Sequence, residues 1–295
     1  MDNQNLIAFI SAAEKKSFSK AAAILDVTQS TISKRIAQLE FKVGKKLFDR
    51  IARKVHLTEA GKELLPRAKL ITKEYEHALQ AINDLSGSVR GPLQLAISHH
   101  LGLHRLPKLL KTFTQKYPDV TLDIEFMDSE KAYDQVLNGH SDVAVITLAL
   151  DQHPNIRRQK IWNDPLQFAC SREHPLARLT NPELIDLAHF PVILPGLNTY
   201  TGRIVQQLFT SKNIPLTAPM STNYLETISA MVEIGLGWSV LPDTLTKSLY
   251  VLSLNKHKIQ RELGYICHTK RTLSRAASAF LTLLDSEVSL QKQAR

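Results

Sequence analysis

Cysteine is almost missing from this sequence. Only Cys170 and Cys267 occur. They form neither a CxxC pair nor a disulfide scaffold, which excludes a dithiol redox motif and a stapled secreted fold. Two packed thiols in a cytoplasmic protein are expected. Long apolar runs are also absent: nothing reaches the ~18 residues that span a bilayer, and no membrane partner is expected. The opening MDNQNLIAF has no basic segment leading into a long apolar one, so no secretory leader is expected. Neither G-x-G-x-x-G nor G-x-x-x-x-G-K-[ST] occurs, which withdraws support from nucleotide-cofactor folds. Without G-x-S-x-G, Ser171 and His174 have no nucleophile-elbow context. The expectation is a non-enzyme without a cofactor.

What is present is a chain of 295 residues with 43% hydrophobic and 22% charged residues, enough for two or three globular domains. The net charge of +9 is unevenly spread. Residues 1–58 carry 11 Lys and Arg against 5 Asp and Glu, a net of +6, whereas residues 59–90 are neutral. A polyanionic partner for the first segment follows.

The first segment reads as three helices and a wing. Leu6, Phe9, Ile10 and Ala13 recur at helical spacing. Ser17 can cap a second helix over 18–25, with Ala21, Ala22 and Ala23 permitting a close crossing. Thr28 can cap a third over 29–43, whose apolar positions are Ile32, Ile36 and Leu39. Two helices joined by so short a turn fit a helix-turn-helix. The N-terminal exposed side of the third helix holds Gln29, Ser30, Thr31, Ser33, Lys34 and Arg35. A helix fits the major groove with its N-terminal residues at base edges. Gln29 can pair with adenine, Lys34 or Arg35 can approach guanine or phosphate, and the short hydroxyls allow close approach. The rival reading is a solvated polar face on an ordinary three-helix bundle. Val55 and Leu57 then alternate as in a half-buried strand, with Arg50, Arg53 and Lys54 about the turn before them. That is a β-wing whose tip can meet phosphates or the minor groove.

Thr58 caps a predicted helix over 59–85, about 40 Å long at 1.5 Å per residue. Leu64, Ala68, Ile71, Tyr75, Ala78, Ile82 and Leu85 are spaced 4-3-4-3-4-3, a seam suited to helix pairing. Packing against its own domain is the alternative. Pairing of two copies is favoured, because a partly palindromic duplex needs two readers.

Residues 8–68 resemble the LysR-type transcriptional regulator family. The resemblance rests on S-F-x-x-A-A, then T-Q-S-T-I-S-x-x-I-x-x-L-E, then G-x-x-L-F-x-R and L-T-x-A-G. It implies that Gln29, Ser30, Ser33 and Lys34 occupy DNA-contacting positions of the recognition helix, and Arg50 and Arg53 the basic wing. Position 30 is often proline in the family and position 34 often arginine, so base preference can differ. The resemblance also implies dimers through the linker helix, assembly into tetramers, and RNA polymerase as a further partner.

After a hinge at 86–92, strands and helices alternate: strands at 93–97, 120–126 and 143–148, helices at 103–116 and 129–137. A second pass has strand-like pieces over 161–170 interrupted around Asp164-Pro165, a strand at 191–194, helices at 201–211 and 225–234, and a strand at 238–241. A strand at 263–268 and a helix at 273–284 follow, with a weakly structured tail after about Ser286. This βαβ pattern resembles the LysR-type effector domain, itself similar to a type 2 periplasmic binding protein. G-P-L-Q-L-A, L-P-K-L-L-K-x-F, G-H-S-D-V-A and G-L-G-W-S-V-L-P carry the likeness.

The expected fold class is therefore α+β multidomain. It comprises a winged helix-turn-helix at 1–58, a linker helix and hinge at 59–90, and a two-lobed α/β domain at 91–295. Lobe 1 takes 91–160 and 266–290, and lobe 2 takes 161–265. Open α/β sheets bind ligands beyond the C-terminal ends of their strands. Ser98, His99, His100, Ser129 and Thr147 lie at such ends in lobe 1, and Thr199, Tyr200 and Thr201 precede a helix in lobe 2. They are the candidate contacts for a small, anionic or polar effector, and plain helix capping is the alternative for each hydroxyl. The spacing of His99, His100 and His104 raises a metal site, but no carboxylate or cysteine joins them at metal-site spacing, so no metal is expected. A free-standing solute-binding protein would explain the two lobes but not residues 1–58.

Overall fold

The computed structural model describes residues 2–51, 54–83, 88–254 and 257–293. The chain divides into two compact units, Met1–Ser88 with Asn138–His140, and Val89–Leu137 with Ser141–Arg295. In the first, helices α1 (Asn3–Lys15), α2 (Phe18–Ile24) and α3 (Gln29–Val43) precede strands β1 (Phe48–Ile51) and β2 (Lys54–Leu57) and helix α4 (Glu59–Asn83). The start of each of the second and third helices is set by a side chain: Ser17 accepts from the Lys20 N–H and Thr28 from the Thr31 N–H. Gly44, at φ 69°, ends α3 in the left-handed conformation that costs glycine least. Leu6, Phe9, Ala21, Ile32, Leu39 and Leu47 are fully buried, and Phe48 lies against both Phe9 and Phe18 with ring centroids 5.3 and 5.4 Å away.

The glutamate at the end of α3 ties it to the wing. Glu40 accepts from the Leu47 and Phe48 amides at 2.9 and 3.4 Å and pairs with Lys46 at 2.7 Å. Partial burial pushes its carboxyl up, but these hydrogen bonds outweigh burial and leave it below the ordinary carboxylate value. The first turn of α4 closes onto the same place. A Cβ on Gly61 would stand 2.3 Å from the Leu47 carbonyl oxygen. Backbone cannot yield as a side-chain tip can, so Gly61→Ala should cost about 1–3 kcal/mol. A fall in the thermal midpoint of an isolated 1–88 fragment, relative to the same fragment unmutated, checks this.

The second unit is built on one seven-stranded sheet. In its first lobe β3 (Gly91–Ser98) pairs in parallel with β4 (Val120–Met127) and β5 (Val143–Thr147). Helices α5 (His99–His104), α6 (Pro107–Lys116) and α7 (Ser129–Leu137) connect these strands. The single helix expected over 103–116 is thus two. Pro107 takes the first position of α6, where its missing N–H costs nothing, and α5 starts directly after β3.

Two long strands carry the sheet from one lobe to the other. β6 (Ile156–Cys170) is continuous, contrary to the break expected at Asp164-Pro165. Pro165 lies where one edge of β6 is not yet covered by β9 (Ser239–Pro242), which begins pairing at Leu166, so no ladder bond is lost on that edge. β11 (Ile259–His268) runs antiparallel to β6, with a register shift at Leu263/Gly264, and its far end pairs with β5. The second lobe adds α8 (Leu184–Ala188), β7 (Ile193–Leu194), α9 (Tyr200–Thr210), β8 (Met220–Ser221), α10 (Leu225–Glu233) and β10 (Tyr250–Val251). The final helix α11 runs Arg275–Gln293, so the tail expected after Ser286 is helical.

Each lobe has its own core. Phe113 and Phe280 meet edge to face at 5.3 Å in the first. Trp238 is buried against Phe209 and Phe168 in the second, its indole N–H donating to the Leu187 and Phe190 carbonyls. A buried indole without such acceptors would be costly. The two cores lie on either side of the strands that cross between the lobes.

Candidate functional site

The N-terminal end of α3 is displayed. Thr28, Gln29, Ser30 and Lys34 are exposed, and Thr31 and Ser33 are half-buried. The Thr28 hydroxyl also meets the Ser30 and Thr31 hydroxyls, each at 2.8 Å. The Gln29 amide nitrogen donates to Ser33 Oγ at 3.1 Å, which orients the amide before anything binds. Arg35 differs from expectation: the residue is half-buried and its guanidinium donates to Gln4 on α1. Lys34 is the exposed cation at this end of α3 among the described residues. Arg50 lies in β1, paired with Val55 in β2, and Arg53 lies outside the described residues.

The linker stripe divides in two. Ala68 is fully buried in the unit's own core and Leu64 packs against it, which corrects their expected place in a dimer seam. Ile71, Tyr75, Ala78 and Ile82 are exposed, Ile82 at 64%. Leu79, outside the expected stripe, is exposed beside them, and Leu85 lies outside the described residues.

All eight cleft candidates line one cavity of about 50 Å³ between the lobes of the second unit. Their roles differ. Ser98 precedes α5 but makes no side-chain cap bond. Because α5 starts at His99, both histidines sit inside its first turn instead of preceding a later helix. His99 lies near Phe126, roughly parallel to it, and against the tilted ring of Tyr224, at ring distances of 6.4 and 4.7 Å. The Ser129 hydroxyl accepts the Thr147 N–H at 3.1 Å. The Thr199 hydroxyl is spent as a cap, donating to the Gly196 carbonyl and accepting the Gly202 N–H. Burial pushes the Tyr200 phenol up, so it stays a neutral donor.

The dominant charge in the cleft was not read from the sequence. Arg261, on β11, has a side chain only 4% exposed. Its Nε donates to Asp164 on β6 at 2.7 Å and its Nη1 to Thr201 Oγ1 at 3.0 Å. Its Nη2 has no partner among the described residues. A buried guanidinium nitrogen left unpaired is costly and is the natural seat of an anionic oxygen. The signal was present: Ile259, Arg261 and Leu263 share one strand phase, so a cation stands where the pattern points inward.

Acidic groups close the rim. Glu130 accepts the Tyr200 N–H and Asp128 accepts from Asn223, each pair joining the two lobes. Burial raises the Glu130 carboxyl above its ordinary value. His100 is buried, and burial, with the charge of Arg261, pushes its imidazole down to about 4, so it is neutral near pH 7. The remaining nucleophile candidates do not line the cleft. His174 Nδ1 accepts the Leu176 N–H. Cys170 and Cys267 are buried free thiols, and burial pushes Cys170 up to about 11.

A basic helix-turn-helix unit and a two-lobed α/β unit with a charged cleft thus occur in one chain. Residues 4–62 match the family described as bacterial regulatory helix-turn-helix protein, lysR family, and residues 86–289 match the LysR substrate binding domain. The chain belongs to the LysR family of transcriptional regulators. It is 32% identical over 284 residues to the uncharacterized HTH-type transcriptional regulator YbhD of Escherichia coli K12, covering 94% of this chain and 89% of YbhD. Full-length CbnR complexed with its target DNA has the same fold, with a TM-score of 0.68 at 21% identity, covering 97% of this chain and all of CbnR. The effector binding domain of QuiR in complex with shikimate superposes with a TM-score of 0.60 at 22% identity, over 66% of this chain and 95% of that domain. LysR-family members are regulators, not enzymes. Among the described residues no helix is long and apolar enough to cross a membrane.

Proposed function

We propose that this LysR-family regulator reads a partly palindromic duplex in the cytoplasm as a dimer or tetramer, and that a small anion bound between its lobes changes that activity. In this reading Gln29, Ser30, Ser33 and Lys34 meet the major groove, with Thr28 and Thr31 holding the helix start. Arg50 and Arg53 meet the backbone or minor groove from the wing. Arg35 supports α3 from behind. RNA polymerase is a further partner when the regulator activates.

The observation that carries the effector reading is the unpaired Nη2 of buried Arg261. It favours a carboxylate or phosphate oxygen, with Ser98 and Thr201 as neutral neighbours. The cavity holds roughly three to five water-sized groups at ~10–15 Å³ each, so an effector of metabolite size parts the lobes to enter. CbnR, with its target DNA, and QuiR, with shikimate, support DNA and small-molecule binding for this fold. The test is reciprocity. Once a carboxylate or phosphate that raises the melting temperature is found, its affinity is measured by calorimetry with and without operator DNA. Unequal affinities are expected, because linkage between two sites must act both ways. Equal affinities would remove the link between sensing and DNA affinity.

Dimerisation is assigned to the exposed part of the α4 stripe: Ile71, Tyr75, Ala78, Leu79 and Ile82. An exposed apolar stripe on a long helix needs a partner. Ile71→Asp with Ile82→Asp would bury two unpaired charges in the seam. Sedimentation at micromolar concentration should show monomer in place of dimer or tetramer. An unchanged oligomer moves the interface elsewhere.

A further inference from the structure

His100, His104 and Glu226 form a cluster that neither DNA reading nor the arginine site uses. His100 and His104 lie four residues apart on α5, one turn along the same face. Glu226 comes from α10 in the other lobe. Its Oε1 lies 3.0 Å from His104 Nε2 and 3.6 Å from His100 Nδ1. One donor atom from each residue lies within 4.8 Å of the others. With metal–ligand bonds of 2.0–2.1 Å, the edge of a tetrahedral zinc site is about 3.3–3.4 Å. The two edges that meet at Glu226, 3.0 and 3.6 Å, are already close to that size.

A second observation points to a ligand. The His100 side chain is 7% exposed and, among the described residues, neither ring nitrogen has a hydrogen-bond partner. A buried polar ring with nothing to bond is rare because it forfeits its hydration without return. A divalent cation would take the lone pair that water has lost. We propose that His100, His104 and Glu226 bind a late first-row divalent cation, Zn²⁺ being the type, and that this ion clamps the two lobes together. Two imidazoles and a carboxylate suit such ions better than Mg²⁺ or Ca²⁺, and three protein ligands leave one position open. His100 also lines the cleft cavity. The nearby cations share one carboxylate: Arg105 and Arg261 lie 3.6 and 2.7 Å from Asp164. The local sequence hides the set, because its third ligand lies 122 residues beyond His104. The site stands apart from the effector reading, since it needs no small molecule.

The test uses the full-length, tag-free chain stripped with EDTA, and the metal alone as probe. Zn²⁺ affinity and stoichiometry are measured by calorimetry. Co²⁺ substitution reports geometry through its visible absorption. Wild type should bind one Zn²⁺ per chain, give tetrahedral Co²⁺ bands and melt at higher temperature with Zn²⁺. His104→Ala and Glu226→Gln, both at partly exposed positions, should retain the metal-free melting profile. Each should lose at least tenfold in Zn²⁺ affinity together with the Co²⁺ bands. Failure of wild type to bind Zn²⁺ stoichiometrically, or undiminished affinity in either variant, would overturn the proposal. An ion pair between His104 and Glu226 with no metal role predicts the second of these results.

Discussion

Arg261→Ala should cost about 3–5 kcal/mol of folding stability, because it strands the carboxylate of Asp164 in a site that is 2% exposed. Arg105 stands 3.6 Å from that carboxylate and offsets part of the loss. The same substitution should remove about 2–5 kcal/mol of effector affinity, the cost of deleting one partner of a buried charged contact. The two effects are separable. Replacing both members together, Arg261→Met with Asp164→Leu, removes the buried pair and takes Asp164 only from Arg105, whose side chain is about one-third exposed; apolar substitution of a whole ion pair is often neutral or better. The double variant should melt near wild type and still fail to bind small carboxylates or phosphates that shift the wild-type midpoint. Wild-type ligand affinity in that double variant would show that Arg261 is a structural ion-pair member only. Arg261→Lys should recover little, since a lysine cannot span Asp164, Thr201 and a ligand oxygen with one ammonium.

How far the cleft was legible follows from where its residues sit. Ser98, Ser129 and Thr147 stand at strand ends or helix starts, and the topology of open α/β sheets places such positions at one edge. Thr199, Tyr200 and Thr201 were found by the same rule in the second lobe. The rule is silent on strand interiors, so Arg261 escaped. Glu226 and Asn223 escaped because their meaning depends on the other lobe: a carboxylate becomes a partner of His104 only when the lobes bring α10 to α5. Asp128 and Glu130 flank a serine that was read, yet nothing local says they reach across to Asn223 and Tyr200.

Gln29→Ala should lower the preference for the correct operator over random duplex by about 1–3 kcal/mol per reader if a paired contact to one base is lost. Its amide is already steered by Ser33, so Ser33→Ala should produce a smaller loss of the same kind. Lys34→Ala should act differently. A cation that meets phosphate supplies affinity for every sequence, and its loss should flatten the slope of log affinity against log salt by about 0.9. If Lys34 instead contacts guanine, its loss would shift sequence preference. Titrations at several salt concentrations with operator and scrambled duplexes distinguish these outcomes.

The second and third helices of the first unit were legible almost to the residue, because capping side chains mark their starts. Ser17 and Thr28 are read from sequence and make the bonds expected of them. The linker was legible as a helix but not as an interface. A 4-3 stripe records which side is apolar, not what covers it, and Ala68 is covered by the core of its own unit. The second unit was legible in its order of elements and less so in its breaks. Pro107 starts a helix and Pro165 sits within a strand, and both depend on which neighbouring backbone groups need an N–H.

The most direct test of DNA reading by α3 is selection of duplexes from a random library by the full-length protein, followed by affinity measurement at fixed salt. The account predicts a partly palindromic sequence bound ~10³-fold or more tighter than random duplex. It also predicts that Gln29→Ala lowers this ratio by about tenfold or more while its affinity for random duplex stays near wild type. Enrichment of no sequence, or an unchanged ratio in Gln29→Ala, would contradict it.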